Sequence, residues 1–335
     1  MERAPSRLCR RLVAYRLCRR LMLNSPGTAL ARPLLTALLS ALLAAGAVFA
    51  QEKDLDTPYV QTPQNVVDKM LEIAKIGPDD YVIDLGSGDG RMVITAATRY
   101  GARGFGVDLD RRLVELSNRN AAKAGVAKRA VFYERNLFET DVSAATVLSI
   151  YLLPDVNLAI RSRLLATLRP GTRIVSHDYH FGEWPPDLQL EMPAPGKKVG
   201  IGEKSKVFYW MVPGTAAGKW RWQLQRDGKP EDHELSLDQN FQKLQGTLAV
   251  SGRPAKLESL ALAGEQLSFA ALVDGGAGAV RYEFSGRIFN NALTGTVRVS
   301  RGEKPGAQAQ ELAWNATRTQ IWDPRHVVLA SQPAK

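Results

Sequence analysis

Tyr81-Val-Ile-Asp-Leu-Gly-Ser-Gly-Asp-Gly90, followed by Gly106-Val-Asp-Leu-Asp110, decides how this chain is read. An apolar run carries an acid, Asp84, at its end and feeds at once into a turn with three alternate glycines, Gly86, Gly88 and Gly90. A helical segment follows over 91–100, and a second short strand ends in Asp108. This is a β-loop-α-β unit whose loop lets a ligand lie against bare backbone. Asp108 falls where such units hydrogen-bond a ribose, its carboxylate matching two vicinal hydroxyls. The loop reads Gly-Ser-Gly-Asp-Gly rather than Gly-x-Gly-x-x-Gly. Asp84 and Asp89 would also repel a pyrophosphate at the helix start. A cationic or zwitterionic adenosyl ligand suits both acids, which points to S-adenosylmethionine rather than NAD.

Outward from this unit the segments alternate in type. The pattern predicts helices over 61–76, 91–100, 110–123 and 155–168, and strands over 81–85, 103–108, 130–134, 145–151 and 172–177. Thr62 reads as the N-cap of the first helix with Pro63 at its first position, and Asp110 as the N-cap of the third. Strand-helix alternation with short turns predicts an α/β fold with a parallel, doubly wound sheet. Pro213-Gly-Thr-Ala-Ala-Gly218 reads as a linker. Beyond it, stretches such as Lys219-Trp-Arg-Trp-Gln-Leu, Gly246-Thr-Leu-Ala-Val, Gln266-Leu-Ser-Phe-Ala and Val280-Arg-Tyr-Glu-Phe alternate apolar with polar residues. They predict a smaller all-β antiparallel domain, a barrel or a sandwich. The expected organisation is a leader over 1–50, an α/β domain over 57–213 and the β-domain over 219–320.

Asp84-Leu-Gly-Ser-Gly-Asp-Gly90 resembles the first motif of class I S-adenosylmethionine-dependent methyltransferases. Further pieces, in order, resemble a narrower family, the seven-strand protein-lysine methyltransferases related to the ATP synthase subunit c lysine methyltransferase. They are Pro58-Tyr-Val-Gln-Thr-Pro63, Asp84 to Arg91, Gly106 to Asp110, Asn136-Leu-Phe-Glu-Thr-Asp141, Tyr151-Leu-Leu-Pro154 and Ser176-His-Asp178. The resemblance runs to Pro213, under half of the chain. It implies a Rossmann-like seven-strand sheet whose last antiparallel strand, over 206–212, pairs with one near 188–192. It also implies S-adenosylmethionine as cofactor and a lysine side chain of another protein as acceptor.

On this reading Gly86, Ser87, Gly88 and Gly90 form the turn under the cofactor, Asp84 accepts from its ammonium, and Asp108 holds the ribose. Tyr59 and Thr62 close over it, although Thr62 is equally explained as a helix cap. Asn136 and Leu137 meet the adenine. Many relatives of this fold carry Asp at the position of Asn136, and an Asn carbonyl can accept the same bond from the adenine amino group. Tyr151, His177 and Asp178 lie at the carboxyl ends of the fourth and fifth strands, the edge where open α/β sheets bind ligands. A lysine amine must shed its proton before it attacks, and His177 or Asp178 is placed to relay it. Each of the two reads equally well as a loop cap. Tyr179, Phe181 and Trp184 are expected to add an aromatic wall for the lysine stem.

The formal charge of +10 misleads, because residues 1–50 hold eight arginines and one glutamate. What remains is an ordinary surface, which removes most support for a nucleic-acid partner. The same segment carries an apolar run, Leu34 to Leu43, followed by Val48-Phe-Ala50, the pattern of a cleaved signal for export to a periplasmic or secreted location. Met22 is a possible start; an uncleaved membrane anchor and a mitochondrial leader are the alternatives. Cys9 and Cys18 both fall in it, so a chain cut after Ala50 has no thiol, which excludes disulfides and thiolate chemistry. His177 and His180 stand three apart without a third ligand nearby, and no metal is expected. The rival functional readings are a small-molecule methyltransferase and a catalytically idle, exported binding module.

Overall fold

The computed structural model describes residues 59–199, 202–275, 278–302 and 309–321. The expected leader lies outside them. Helix α1 (Gln64–Ile73) leads into β1 (Tyr81–Leu85), α2 (Arg91–Tyr100), β2 (Arg103–Asp108), α3 (Arg111–Lys123), β3 (Ala130–Glu134), β4 (Val147–Ile150), α4 (Pro154–Thr167) and β5 (Arg173–His177). A hairpin, β6 (Leu188–Pro193) and β7 (Lys204–Met211), completes a sheet of order β3-β2-β1-β4-β5-β7-β6. The first five strands are parallel, and β7 runs antiparallel to both β5 and β6. This is the Rossmann-like methyltransferase sheet.

Its centre is made of continuous apolar runs. All four residues of β4 and the last four of β1 are buried, as expected for strands covered on both faces. Met92, Val93, Ala96 and Ala97 of α2 and Val66, Val67, Met70 and Leu71 of α1 pack into the same core. β2 approaches β1 closely: a Cβ on Gly104 would lie 1.8 Å from the Val82 carbonyl oxygen. Between β1 and β4 the strand order reverses, and the crevice this opens lies at the carboxyl ends, directly above the glycine turn. One local expectation fails. α1 begins after Pro63, and no side chain caps it, because the Thr62 hydroxyl is turned away towards His177.

After Met211 the chain forms an antiparallel meander: β8 (Gly218–Arg226), β9 (Lys229–Asn240), β10 (Lys243–Val250), β11 (Arg253–Ala263), β12 (Gln266–Gly275), β13 (Gly278–Phe289), β14 (Ala292–Arg301) and β15 (Gln310–Gln320). β15 pairs with β8, so the β-domain is a closed eight-strand barrel rather than a sandwich. Closure gives every strand of the barrel a partner on both sides, and period-two alternation sends Trp220, Trp222, Leu235, Leu237, Phe269, Phe284 and Trp314 to its core.

Sheet and barrel belong to one compact unit. Aromatic rings join them. Trp184 stacks on Phe241 of the barrel with ring centres 5.9 Å apart, and on the sheet side Phe181 backs Trp184 at 5.4 Å and meets Trp210 edge-on at 4.9 Å. The Trp184 indole N–H donates to the Gln242 side-chain oxygen (3.1 Å), and the Gln242 amide donates to the Pro185 carbonyl (2.6 Å). Phe181 and Trp184 are fully buried here, so they are not the acceptor wall expected of them. Their role is to seat the barrel. Trp184→Ala should therefore destabilise the protein by about 3–5 kcal/mol, the usual range for a buried aromatic truncation. Urea unfolding would measure it, and a loss below about 1 kcal/mol would show that the barrel is held elsewhere.

Candidate active site

β1 brings Asp84 to the crevice with its neighbours buried. Burial above all, with the nearby Asp108 and Asp89 carboxylates adding to it, raises the Asp84 pKa to about 7, while a hydrogen bond from Ser149 works in the opposite direction. Ser149 stands level with Asp84 in the pairing of β1 with β4. A polar residue inside the otherwise apolar β4 was the sequence signal for it.

Gly86, Gly88 and Gly90 all take positive φ, at 79°, 53° and 83°. Only glycine does so at little cost. The Tyr59 ring lies on the middle one, where a Cβ on Gly88 would come within 2.5 Å of it. The Gly88 N–H donates to one oxygen of Asp108 (3.0 Å) and the Asp110 N–H to the other (2.9 Å). These bonds fix the carboxylate's plane, and each oxygen keeps a further lone pair for a hydroxyl. Residues 59–62 are pinned over the turn. Gln61 donates to Asp89 (3.3 Å), and Arg91 pairs with Asp89 while donating to the Thr62 carbonyl (2.7 Å).

Two side chains near the turn are engaged within the protein. The Ser87 side chain is buried against Gly106, so its hydroxyl is not offered to the crevice. The Asn136 side-chain oxygen accepts from the Phe138 N–H (2.9 Å) and builds a turn, and its second lone pair remains for a donor. Leu137 lies in that turn, half-buried, its carbonyl accepting from Arg163 (3.0 Å).

At the ends of β4 and β5 the three expected catalytic residues do come together. The Tyr151 hydroxyl donates to Asp178 Oδ2 (3.2 Å), and its ring packs on His177 with centres 3.9 Å apart. Burial, reinforced by the Asp178 carboxylate, raises the Tyr151 pKa well above the usual phenol value, so Tyr151 stays a donor. His177 is wholly buried, with Nδ1 3.1 Å from the Thr62 hydroxyl and Nε2 2.7 Å from the Ser205 hydroxyl. Burial lowers its pKa to about 4. Neutral and held at both nitrogens, His177 is not the proton relay expected of it but a strut joining residues 59–62 to β5 and β7. Asp178 remains. It takes a left-handed φ of 62°, which Asp tolerates better than most residues, and its Oδ1 accepts from the Lys206 N–H (3.0 Å). Lys197 also reaches Asp178, a contact that no spacing in the sequence announced.

These residues fit an S-adenosylmethionine cofactor. Backbone without Cβ atoms would lie under it, the buried Asp84 carboxyl would receive its ammonium, and Asp108 is oriented for a diol. Asp84 accepts a cation only when ionised. Since its pKa in the free protein is about 7, a bound ammonium must pull that pKa down. Affinity for S-adenosylmethionine should therefore rise with pH up to about 7 and then level off. Titration calorimetry would compare wild type with Asp84→Asn, whose affinity should be weaker and free of this rise. Identical pH profiles for the two proteins would exclude Asp84 as the cation's partner.

A family described as the ANTKMT methyltransferase domain matches residues 84–188. A protein-lysine N-methyltransferase of Saccharolobus islandicus (strain REY15A) is 45% identical over 158 residues, which span 47% of this chain and 94% of that protein. The mouse adenine nucleotide translocase lysine N-methyltransferase is 32% identical over 133 residues, 39% of this chain and 57% of that protein, so the match spans little more than half of that relative. Among solved structures, an RNA methyltransferase from Salinibacter ruber in complex with S-adenosyl-L-homocysteine shares 45% identity, with a TM-score of 0.41 over 45% of this chain and 93% of that one. The chain belongs to the S-adenosylmethionine-dependent protein-lysine methyltransferase family.

Proposed function

We propose that this protein methylates lysine side chains of another protein. The observation that carries the reading is the meeting of Tyr151 and Asp178 at the ends of β4 and β5, where the neighbouring Leu152 packs over Gly86 of the glycine turn. When bound, S-adenosylmethionine supplies a methyl group on a sulfonium, so the protein's task is to align a neutral amine with it. Asp178 takes the amine's proton, because its carboxylate is the acceptor at this edge. Tyr151 stays protonated, and its ring flanks the same place. Neutral His177 fixes the Tyr151 ring and the Thr62 segment. The names of the relatives support lysine as the acceptor.

Incubating residues 51–335 with labelled S-adenosylmethionine and a cell-envelope extract should place label on protein, recovered as methyl-lysine after hydrolysis. Asp108→Ala should lose most of it. Label confined to small molecules or to RNA would replace lysine with that acceptor class. A protein that binds the cofactor and transfers nothing would be the idle binding module.

We also infer export. Support comes from the apolar run Leu34 to Leu43 and the small-residue pattern Val48-Phe-Ala50. N-terminal sequencing of the protein from its own cells should begin at Gln51. Recovery of a chain that retains Leu34 to Leu43 would make the segment an anchor.

A further inference from the structure

The ammonium of Lys197 lies against the carboxylate of Asp178, to which the proposed function assigns the acceptor amine's proton. Lys197 belongs to the connection between β6 and β7, and its side chain turns inward until only 4% of it is exposed. Nζ is 2.6 Å from Asp178 Oδ2, the oxygen that also accepts from the Tyr151 hydroxyl, and it donates to the Lys204 carbonyl at 2.6 Å. The backbone holds it there. The Lys197 N–H donates to the Ala194 carbonyl (3.1 Å), the Ala194 N–H to the Glu203 carbonyl (2.8 Å), and the Gly196 N–H to the Glu203 carboxylate (3.0 Å). Lys198, the next residue, is exposed. A carboxylate and a carbonyl oxygen thus direct two of the three N–H bonds of one lysine, at the oxygen that the Tyr151 hydroxyl also reaches.

We propose that Lys197 is an in-chain occupant of the acceptor-amine subsite and that the enzyme methylates it. The proposal rests on the reading of the protein as a lysine methyltransferase. In the step, a proton passes from Nζ to the Asp178 carboxylate and leaves a neutral amine. The nitrogen lone pair forms a bond to the methyl carbon of S-adenosylmethionine. The carbon–sulfur bond breaks with its electron pair staying on sulfur, which leaves as the neutral thioether of S-adenosylhomocysteine. Nζ then carries the methyl group and the positive charge.

The full-length protein would be digested and its peptides weighed, first as isolated from cells that make S-adenosylmethionine, then after incubation with the labelled compound. Lys197 should carry methyl groups in both samples, and Lys198 in the same peptide should carry none. Lys197→Arg, shown to be folded by its circular dichroism, should lose all label from that peptide. An unmethylated Lys197 in a preparation that labels lysine in added envelope proteins would overturn the proposal and leave the function standing. Label spread evenly over Lys198 and other exposed lysines would overturn it too, as random surface reaction. If neither Lys197 nor any added protein is labelled, the lysine reading itself falls and this proposal with it.

Discussion

A carboxylate kept out of water at the end of β1 sets the terms for the rest of the site. Removing a charge from water costs several kcal/mol even in a relaxed protein interior. Asp84 bears that cost beside two further acids, Asp89 and Asp108, with one Ser149 hydroxyl in partial compensation. Such a group is at ease only when it is protonated or faces a cation. The backbone around it is shaped to admit a ligand that brings one. Three consecutive alternate glycines at positive φ lower the floor of the crevice, and the Tyr59 ring lies on the middle one. The strands below answer the same demand. Gly106 leaves room for Ser87, which in turn lets the turn fold back tightly on β2.

Much of this was legible because it is local. Asp84, the three glycines and Asp108 lie within one β-loop-α-β unit, and their spacing alone states what the loop does. The strands and helices of the sheet follow from the hydrophobic period, and β1, α2 and β2 fall on the residues that period marks. What escaped depends on contacts across long separations. Thr62 has the sequence of an N-cap, yet its hydroxyl meets His177, 115 positions away. His177 has the sequence of a proton relay, yet Ser205 and Thr62 occupy its two nitrogens. Lys197 looks like any hairpin lysine. Nothing in a one-dimensional pattern tells which face of a loop a side chain will choose when a carboxylate lies in reach.

The aromatic residues after β5 teach the same lesson with opposite consequence. Tyr179, Phe181 and Trp184 read as a single wall, but the chain turns between them. A bridge from Phe181 to Trp184 tightens the turn, and Trp184 meets both Trp210 and Phe241 while Phe181 meets Trp210. The loop that ends in the acceptor edge therefore also carries the seat of the barrel. Gln242 clamps that seat from the barrel side through three bonds, to Trp184, Pro185 and Asp187. The barrel is thus tied to the segment that follows Asp178, with only a few residues between the docking rings and that carboxylate.

Asp84 and Asp178 divide the work of the crevice because their surroundings differ, the usual way in which two acids of one site acquire separate roles. Asp84 is short of donors and suits the charged end of the cofactor. Asp178 is surrounded by donors: the Lys206 N–H, the Tyr151 hydroxyl and the Lys197 ammonium. Taking away one partner of a buried ion pair is strongly unfavourable, about 3–5 kcal/mol, because the other charge is left without compensation. Lys197 can therefore leave Asp178 readily only when another cation takes its place. A protein lysine brings that charge together with a long apolar stem, whereas a neutral planar acceptor would leave the carboxylate stranded. On the function proposed above, selectivity for lysine over uncharged nucleophiles would follow from the demand of this one carboxylate for a cation.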